Sequence, residues 1–552
     1  MNASLIRSVM MAGLAGPLLM AVPATQGAEG VAHSGHGNTA AAPELIQPQP
    51  YRPAYHFTPP HAWMNDPNGM VYYKGLYHLF YQFHPYSNVW GPMHWGHATS
   101  PDMIHWTHQP IALAPDELGA IFSGSVVVDW KNTSGFGTAD NPPLVAIFTY
   151  HNEADRLAGK RPPQSQALAY SSDNGASWTK YAGNPVLKAA PDQGDFRDPK
   201  VRWHEASQSW IMSLAVGDHV EFHASPDLKQ WHLLSQFGKN VGAHGGVWEC
   251  PDLLPIRVAE TGGQKWMLLL SINPGGPNGG SATQFFIGDF DGRNFVLDPA
   301  FASQLEQDGP QWIDWGRDNY AGVTWSDVPA ADGRVLMLGW MSNWDYATKV
   351  PTSAWRSGMT LPRELQLHRQ AQGYVLHSLP VRELDALKGR ISQPQTATAT
   401  EGLSLSGRAL EQSETYVEFS LPGGNSKAYL EFSNAQGEAY KVGLDGQTGR
   451  YFSDRRQAGR KDFSEQFASK LHTAPRHAQS AVVRMRVYLD RNSAELFADD
   501  GATLMSELIF PSAPYTQVRF LVDGQAAQPA AFTVTEIGSS QTSMQTPAEP
   551  AR

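Results

Sequence analysis

The sequence predicts an all-β protein, a five-bladed β-propeller followed by a C-terminal β-sandwich. Three observations carry that expectation. Short β-type runs alternate with turn clusters from Tyr55 to about Leu384, almost nothing there reads as a long amphipathic helix, and beyond Leu384 the strands change to clean apolar/polar alternation. Composition agrees, because 51 Gly and 40 Pro punctuate the chain, charged residues are only 17% and aromatics reach 11% with 17 Trp, a profile suited to many turns between well-filled sheets.

Taken in order, residues 1–28 carry one early cation, Arg7, then the apolar stretch Val9 to Val22, then small residues around Ala24 and Ala28. This is the pattern of an export signal cleaved after Ala24 or Ala28. A membrane anchor is the alternative, but Gly and Pro break the stretch and it falls short of the ~20 apolar residues a span needs. Residues 29–50, rich in Ala, Gly, Pro and His, read as a flexible linker.

Residues 51–384 hold the expected propeller. Its β-type runs include Met70-Val71-Tyr72-Tyr73, Leu144-Val145-Ala146-Ile147-Phe148 and Trp266-Met267-Leu268-Leu269-Leu270. A turn-and-aromatic mark recurs among them: Ser100-Pro101-Asp102 leads to Trp106, Ser171-Ser172-Asp173 to Trp178, Ser225-Pro226-Asp227 to Trp231, and Asp291-Gly292 to Phe295. At roughly 65 residues per repeat, about 330 residues make five blades. A large sandwich with chance similarity among its turns is the alternative. In residues 385–538 Val483, Met485, Val487 and Leu489 share one strand face while Arg484, Arg486, Tyr488 and Asp490 share the other, as expected of a sandwich strand with one face buried. The polar tail, residues 539–552, is expected to be disordered.

Charge narrows the partners. With 41 basic against 52 acidic residues, a net of -11 and no long basic run, a nucleic-acid or anionic-membrane partner has no electrostatic footprint, and neutral substrates are favoured. Cys250 is the only cysteine, so no intramolecular disulfide can form. It reads as a packing thiol rather than a nucleophile.

The chemistry is expected at three carboxylates. Asp66 lies in Trp63-Met64-Asn65-Asp66-Pro67-Asn68-Gly69, Asp198 in Phe196-Arg197-Asp198-Pro199 and Glu249 in Trp248-Glu249-Cys250-Pro251. Each acid sits among aromatic and turn-forming residues, which suits the mouth of a rigid pocket. Glycosidic bonds are commonly cleaved by two carboxyl groups, one nucleophile or base and one proton donor. Each acid alone has a plainer reading: an Asx turn for Asp66, an ion pair with Arg197 for Asp198, an interior glutamate for Glu249. The flanking Trp248 and Cys250 are expected to give Glu249 apolar surroundings. Gly-x-Ser-x-Gly, His-Glu-x-x-His, Walker and paired-cysteine patterns are missing from the sequence, and neither metal nor cofactor is expected.

These fragments, with Trp90-Gly91-Pro92-Met93-His94-Trp95-Gly96-His97, Phe122-Ser123-Gly124-Ser125 and Gly339-Trp340-Met341, make the chain resemble glycoside hydrolase family 32, the invertase, inulinase and levanase group, from Tyr55 to Gly538. The resemblance implies Asp66 as nucleophile on a fructosyl anomeric carbon, Glu249 as general acid then base, and Asp198 as a stabiliser holding sugar hydroxyls. It implies that Asn65, Gln82, Trp90, Phe122, Ser123 and Trp340 line the pocket, with Arg197 also in the substrate site, where its guanidinium is expected to lock Asp198 ionised. Trp312 falls in a second expected rim segment. The wording of the motifs is closest to the exo-acting levanases and inulinases, so the expected activity is retaining release of fructose from the non-reducing ends of levan, inulin and sucrose by a secreted or periplasmic enzyme. An arabinan- or xylan-cleaving glycosidase and a non-catalytic fructan-binding module are the rival readings.

Overall fold

The computed structural model describes residues 49–159, 162–191, 193–393, 395–396, 403–406, 409–421 and 425–540. The expected export signal, nearly all of the linker and the tail from residue 541 lie outside them. Five largely antiparallel sheets come first, each built on four strands that follow one another outward in chain order. Their innermost strands are Ala62–Tyr73, Ala120–Val128, Phe196–His204, Val247–Arg257 and Tyr320–Thr324. These pack side by side in chain order, and the fifth returns against the first, so the sheets close into the five blades of a propeller. The ring is fastened where Trp355–Arg356 pairs in parallel with Ala62 and Trp63 of the first strand.

The recurrent sequence mark is the turn from third to fourth strand. In blade one Asp102 Oδ1 accepts from the amides of Ile104 and His105 while Trp106 Nε1 donates to Met103 O. Asp227 and Trp231 repeat this in blade three, Asp173 and Trp178 in blade two, and Asp291 caps the amides of Arg293 and Asn294 in blade four. The short aspartate supplies the acceptor that an open turn otherwise lacks, which is why the mark repeats at blade spacing.

A six-stranded and an eight-stranded sheet follow, beginning at Lys388–Ser392, and face each other as a sandwich. Val483, Met485, Val487 and Leu489 are fully buried between the sheets. The opposite face of that strand is solvated only in part: Tyr488 and Asp490 are buried too, Tyr488 among propeller side chains and Asp490 against His56 and the amides of Ala54 and Tyr55. The second half of the outer face is therefore a docking surface.

That docking surface is built on buried charge. Arg363 of blade five pairs with Asp314 at 3.0 Å and with Glu495 of the sandwich. Arg455 of the sandwich pairs with Asp318 at 2.6 Å and with Glu507 at 3.1 Å. All six side chains are at most 1% exposed. Backbone joins in, with Trp315 N donating to Leu504 O and Asp318 N to Ser506 O. Gly316 lets the segment lie this close, since a Cβ there would stand 2.2 Å from the Ser506 backbone. The segment around Trp312 is thus a strap between domains and not a second rim of the funnel; Trp312 itself is buried in the core of blade four.

Removing one partner of a buried ion pair strands the other. Arg363→Ala is expected to cost about 3–5 kcal/mol by leaving Asp314 and Glu495 uncompensated; a thermal melt coinciding with that of the parent would show that the strap does not couple the two halves. Burial pushes the Glu495 carboxyl up, but Arg363 and His56 outweigh it and hold its pKa at about 2. Burial likewise pulls His56 down, and Asp490 and Glu495 outweigh it to raise it to about 9. Glu495 therefore stabilises fully above its ordinary 4.5 and loses this as pH falls toward 2, whereas His56 stabilises fully below its ordinary 6.5 and loses this as pH rises through 9. Melting temperatures followed across pH should show both flanks in the parent, and His56→Ala should remove the alkaline one.

Candidate active site

Each innermost strand changes register near its start: between Met64 and Pro67, Ile121 and Gly124, Arg197 and Lys200, Glu249 and Asp252, and Tyr320 and Val323. One irregularity repeated five times bends every strand at the same level of the axial funnel and re-aims a side chain into it. Asp198, Cys250 and Ala321 take left-handed backbone there, with φ of +64°, +49° and +51°. Asp66, Ser123, Asp198, Glu249 and Tyr320 all come from this level, one per blade.

Asp66 is held from two sides. Ser123 Oγ donates to its Oδ2 at 2.7 Å and Asn65 Nδ2 to its Oδ1 at 3.0 Å, while Trp63 Nε1 fixes the Asn65 amide by donating to its Oδ1. Asp198 Oδ2 accepts from the Cys250 amide at 3.0 Å, and its own amide donates to Thr149 Oγ1. The Cys250 thiol stands between the two acids, 3.8 Å from Asp66 Oδ2 and 3.7 Å from Asp198 Oδ2. Burial pushes that thiol well above its ordinary value, and the surrounding carboxylates add to the effect. It stays protonated, a short donor wedged between two acids.

Glu249 differs from its expected surroundings. Trp248 turns away into the blade core, because neighbours on a strand point to opposite faces, and the Glu249 carboxylate meets polar groups instead. Arg197 donates to its Oε1 from Nε at 3.1 Å and from Nη2 at 2.8 Å, and the Tyr320 hydroxyl hydrogen-bonds its Oε2. The same alternation corrects the expectation for Arg197, which pairs with Glu249 and Asp195 rather than with its neighbour Asp198.

The other expected residues fall at different depths. Trp90 lies at the mouth, 43% exposed, with its ring edge-to-face on Phe122, which stacks on His151 at 4.4 Å. Gln82 is buried and its Nε2 has no acceptor among the described residues. Trp340 is fully buried among Trp63, Trp344 and Tyr320, so it supports the floor from behind, and its Nε1 also lacks a partner among the described residues. Sequence reasoning missed Tyr320, Asp195, Thr149 and the bridging role of Cys250. The first leaves only a loose signal: innermost strands begin at 62, 120, 196 and 247, and one more step of such uneven spacing reaches a broad window from about 298 to 323.

Three carboxylates thus share one small space with a single guanidinium. Burial raises Asp66, Glu249 raises it further, and the Ser123 and Asn65 hydrogen bonds pull it back. Burial also raises Asp198, to about 7; the Arg197 charge opposes this, while Glu249 and Asp66 add to it. Chemically, the arrangement sets a poised carboxylate, Asp66, and a second carboxyl group, Glu249, about one cavity, with Asp198 as an additional acceptor deeper in the wall.

The chain matches the family model for the Glycosyl hydrolases family 32 N-terminal domain over residues 56–380 and that for the family 32 C-terminal domain over residues 383–536. It is 45% identical over 475 residues to a levanase of Bacillus subtilis, covering 85% of this chain and 68% of the relative, and 36% identical over 526 residues to an extracellular exo-inulinase of Aspergillus awamori, covering 89% and 95%. Among solved structures, the Aspergillus awamori exo-inulinase superposes with a TM-score of 0.80 at 34% identity, over 90% of this chain and 99% of the other. A fructofuranosidase from Schwanniomyces occidentalis complexed with fructose gives 0.76 at 32% identity, over 88% and 98%.

A folded-state pKa above the ordinary 3.8 means that ionised Asp198 destabilises the fold, progressively as pH rises from about 4 through about 7. Asp198→Asn keeps an acceptor for the Cys250 amide without the charge. It should be more stable than the parent at pH 8, by up to about 4 kcal/mol, with the gap closing by pH 4. Melting curves at the two pH values check this, and a variant less stable at pH 8 contradicts it.

Proposed function

We propose, from the premise that the chain belongs to glycosyl hydrolase family 32, that it is a retaining β-fructofuranosidase of the exo-levanase and exo-inulinase type, releasing fructose from levan, inulin and sucrose. The observation that carries this reading is the convergence of Asp66, Asp198 and Glu249 around Cys250 at one level of the funnel. The extracellular exo-inulinases among its relatives support an exported enzyme, with residues 1–28 as the signal, 51–384 as the catalytic unit and 385–538 as its buttress. No helix among the described residues is long and apolar enough to cross a membrane.

In this reading Asp66 attacks the anomeric carbon of the terminal fructosyl unit as Glu249 delivers a proton to the departing glycosidic oxygen, so one C–O bond forms while another breaks. Glu249, now a carboxylate, takes a proton from the water that attacks the covalent intermediate, and Asp66 leaves as the free carboxylate. Arg197 and Tyr320 hold the Glu249 carboxyl in a fixed position through both steps. Burial pushes the Tyr320 hydroxyl well above its ordinary range and Glu249 pushes it further, so it keeps its proton and acts as a donor. Asp198, deep in the wall, accepts from furanose hydroxyls, and Gln82 Nε2, without an acceptor among the described residues, is available to the same ring. Trp90 at the mouth gives the sugar an apolar face.

Asp66→Ala or Glu249→Ala should leave a folded protein with activity lowered by at least about a thousandfold; near-normal turnover of levan, inulin or sucrose by either variant rejects the roles. Chromatography of products should show fructose alone, whereas short oligomers would mean internal attack. Asp66 must be ionised to act, so the acid limb of kcat/KM reports its raised pKa. Ser123→Ala removes a hydrogen bond that lowers that pKa, and the limb should shift to higher pH; an unmoved limb would dissociate it from Asp66.

A further inference from the structure

The innermost strands have a second end. There a separate cavity of about 270 Å³ opens, lined by Trp130 and Lys131 after the blade-two strand, Arg202, Trp203 and Glu205 at the end of the blade-three strand, and Asp327 after the blade-five strand. Asp198 and Trp203 lie on one strand, and at ~3.3 Å per residue they are about 17 Å apart. Partway between them Lys200 Nζ donates to Thr324 O at 2.5 Å and lies 3.3 Å from Asp252, with both side chains buried. This ion pair belongs to blades three and four and caps the strand of blade five, so the funnel does not run through to the rear cavity along this wall.

Three indoles line the rear cavity; Trp210 is buried edge-to-face against Trp203, and Trp130 and Trp203, which reach the opening, are both pinned. Trp130 is 58% exposed although large aromatics are usually covered, and its Nε1 donates to Asp327 Oδ1 at 2.9 Å, which fixes the ring while leaving its face open. Trp203 Nε1 donates to Glu205 Oε2 at 2.6 Å, and Lys131 Nζ stands 4.5 Å over the Trp203 ring and 3.2 Å from Glu205. Around them Lys131 and Arg202 balance Glu205 and Asp327, so the lining has donors and acceptors close together without a net charge. Arg202 Nε is buried and has no acceptor among the described residues. An anionic ligand would need an excess of cations, and a plain apolar ligand would strip water from these charged groups while offering Arg202 Nε no acceptor. A neutral chain of hydroxyl-rich rings meets both needs, with C–H faces on the indoles and hydroxyls on the charged groups.

We infer that this rear cavity is a non-catalytic carbohydrate site that holds a second stretch of the polymeric β-fructan while the funnel works on a chain end. The inference rests on the fructanase reading above. A second point of attachment raises the effective concentration of chain ends at the funnel without altering the chemistry there. It acts on polymers alone, because sucrose cannot reach both sites.

The test uses the full chain. In the inactive Glu249→Ala background, affinity electrophoresis in gels containing levan or inulin should show retention reduced at least about threefold by Trp130→Ala and by Trp203→Ala, with Trp130→Phe, which keeps a ring face, retaining more than Trp130→Ala. In the active background Trp130→Ala should raise KM for polymeric fructan by a similar factor while kcat and KM for sucrose stay unchanged. Thermal melts identify any variant that fails to fold, and Lys131→Ala, which removes only an exposed side chain, then takes its place in both measurements. Polymer retention and KM unchanged in the folded variants would overturn the rear site. Equal losses on polymer and sucrose would also overturn it, by tracing the effect to the funnel. An unsubstituted protein that cleaves no fructan would instead sink the functional reading.

Discussion

Three carboxylates confined with one guanidinium set the terms for the whole molecule. Like charges in a poorly hydrated space repel one another, and burial disfavours each charge separately. The site persists because every acid has fixed partners: Ser123 and Asn65 for Asp66, the Cys250 amide for Asp198, Arg197 and Tyr320 for Glu249. Burial raises Asp66 and Asp198 above their ordinary range, so stability is given up locally to hold these acids in place, and the rest of the fold must be rigid enough to compensate.

The propeller meets this demand by repetition. A single β-bulge, used at the same height in five strands, turns five side chains toward the axis, and the left-handed backbone at Asp198, Cys250 and Ala321 is the local cost of that turn. Because each blade adds one position to the ring, residues more than 250 apart in the chain become neighbours through ordinary strand packing. The wedge of Cys250 is a consequence of the same geometry. Next to Glu249 on a bulged strand, its thiol cannot follow the glutamate and lands between the other two acids.

Outside the ring, the sandwich locks the blade that closes it. Asp314 and Asp318, on the segment that leads into the innermost strand of blade five, reach Arg363 and Arg455, and Glu495 and Glu507 of the sandwich complete the two pairings. Tyr320, which positions Glu249, follows only two residues after Asp318. Domain docking and placement of Glu249 are thus linked through a short piece of backbone, and the buried ion pairs give that piece one register rather than several.

Much was legible in the sequence because much is local. Alternation with period two marks strands such as that from Val482 to Asp490, and Asx turns at Asp102, Asp173, Asp227 and Asp291 mark the blades, since each depends on atoms a few residues away. The three acids could be named from their fragments, as could Asn65 and Ser123. Partner choice could not. Arg197 beside Asp198 reads as a pair, but adjacent strand residues face opposite ways, so the guanidinium reaches across a blade to Glu249. Trp340, read as a wall of the pocket, ends fully buried behind it, and the segment around Trp312, read as a rim, became the strap to the sandwich. By itself the sequence determined which elements form and which acidic fragments stand at their starts, because those signals are short-ranged. Only the tertiary structure decided which charge faces which, because that follows from strand direction, bulges and ring closure among residues far apart in the chain.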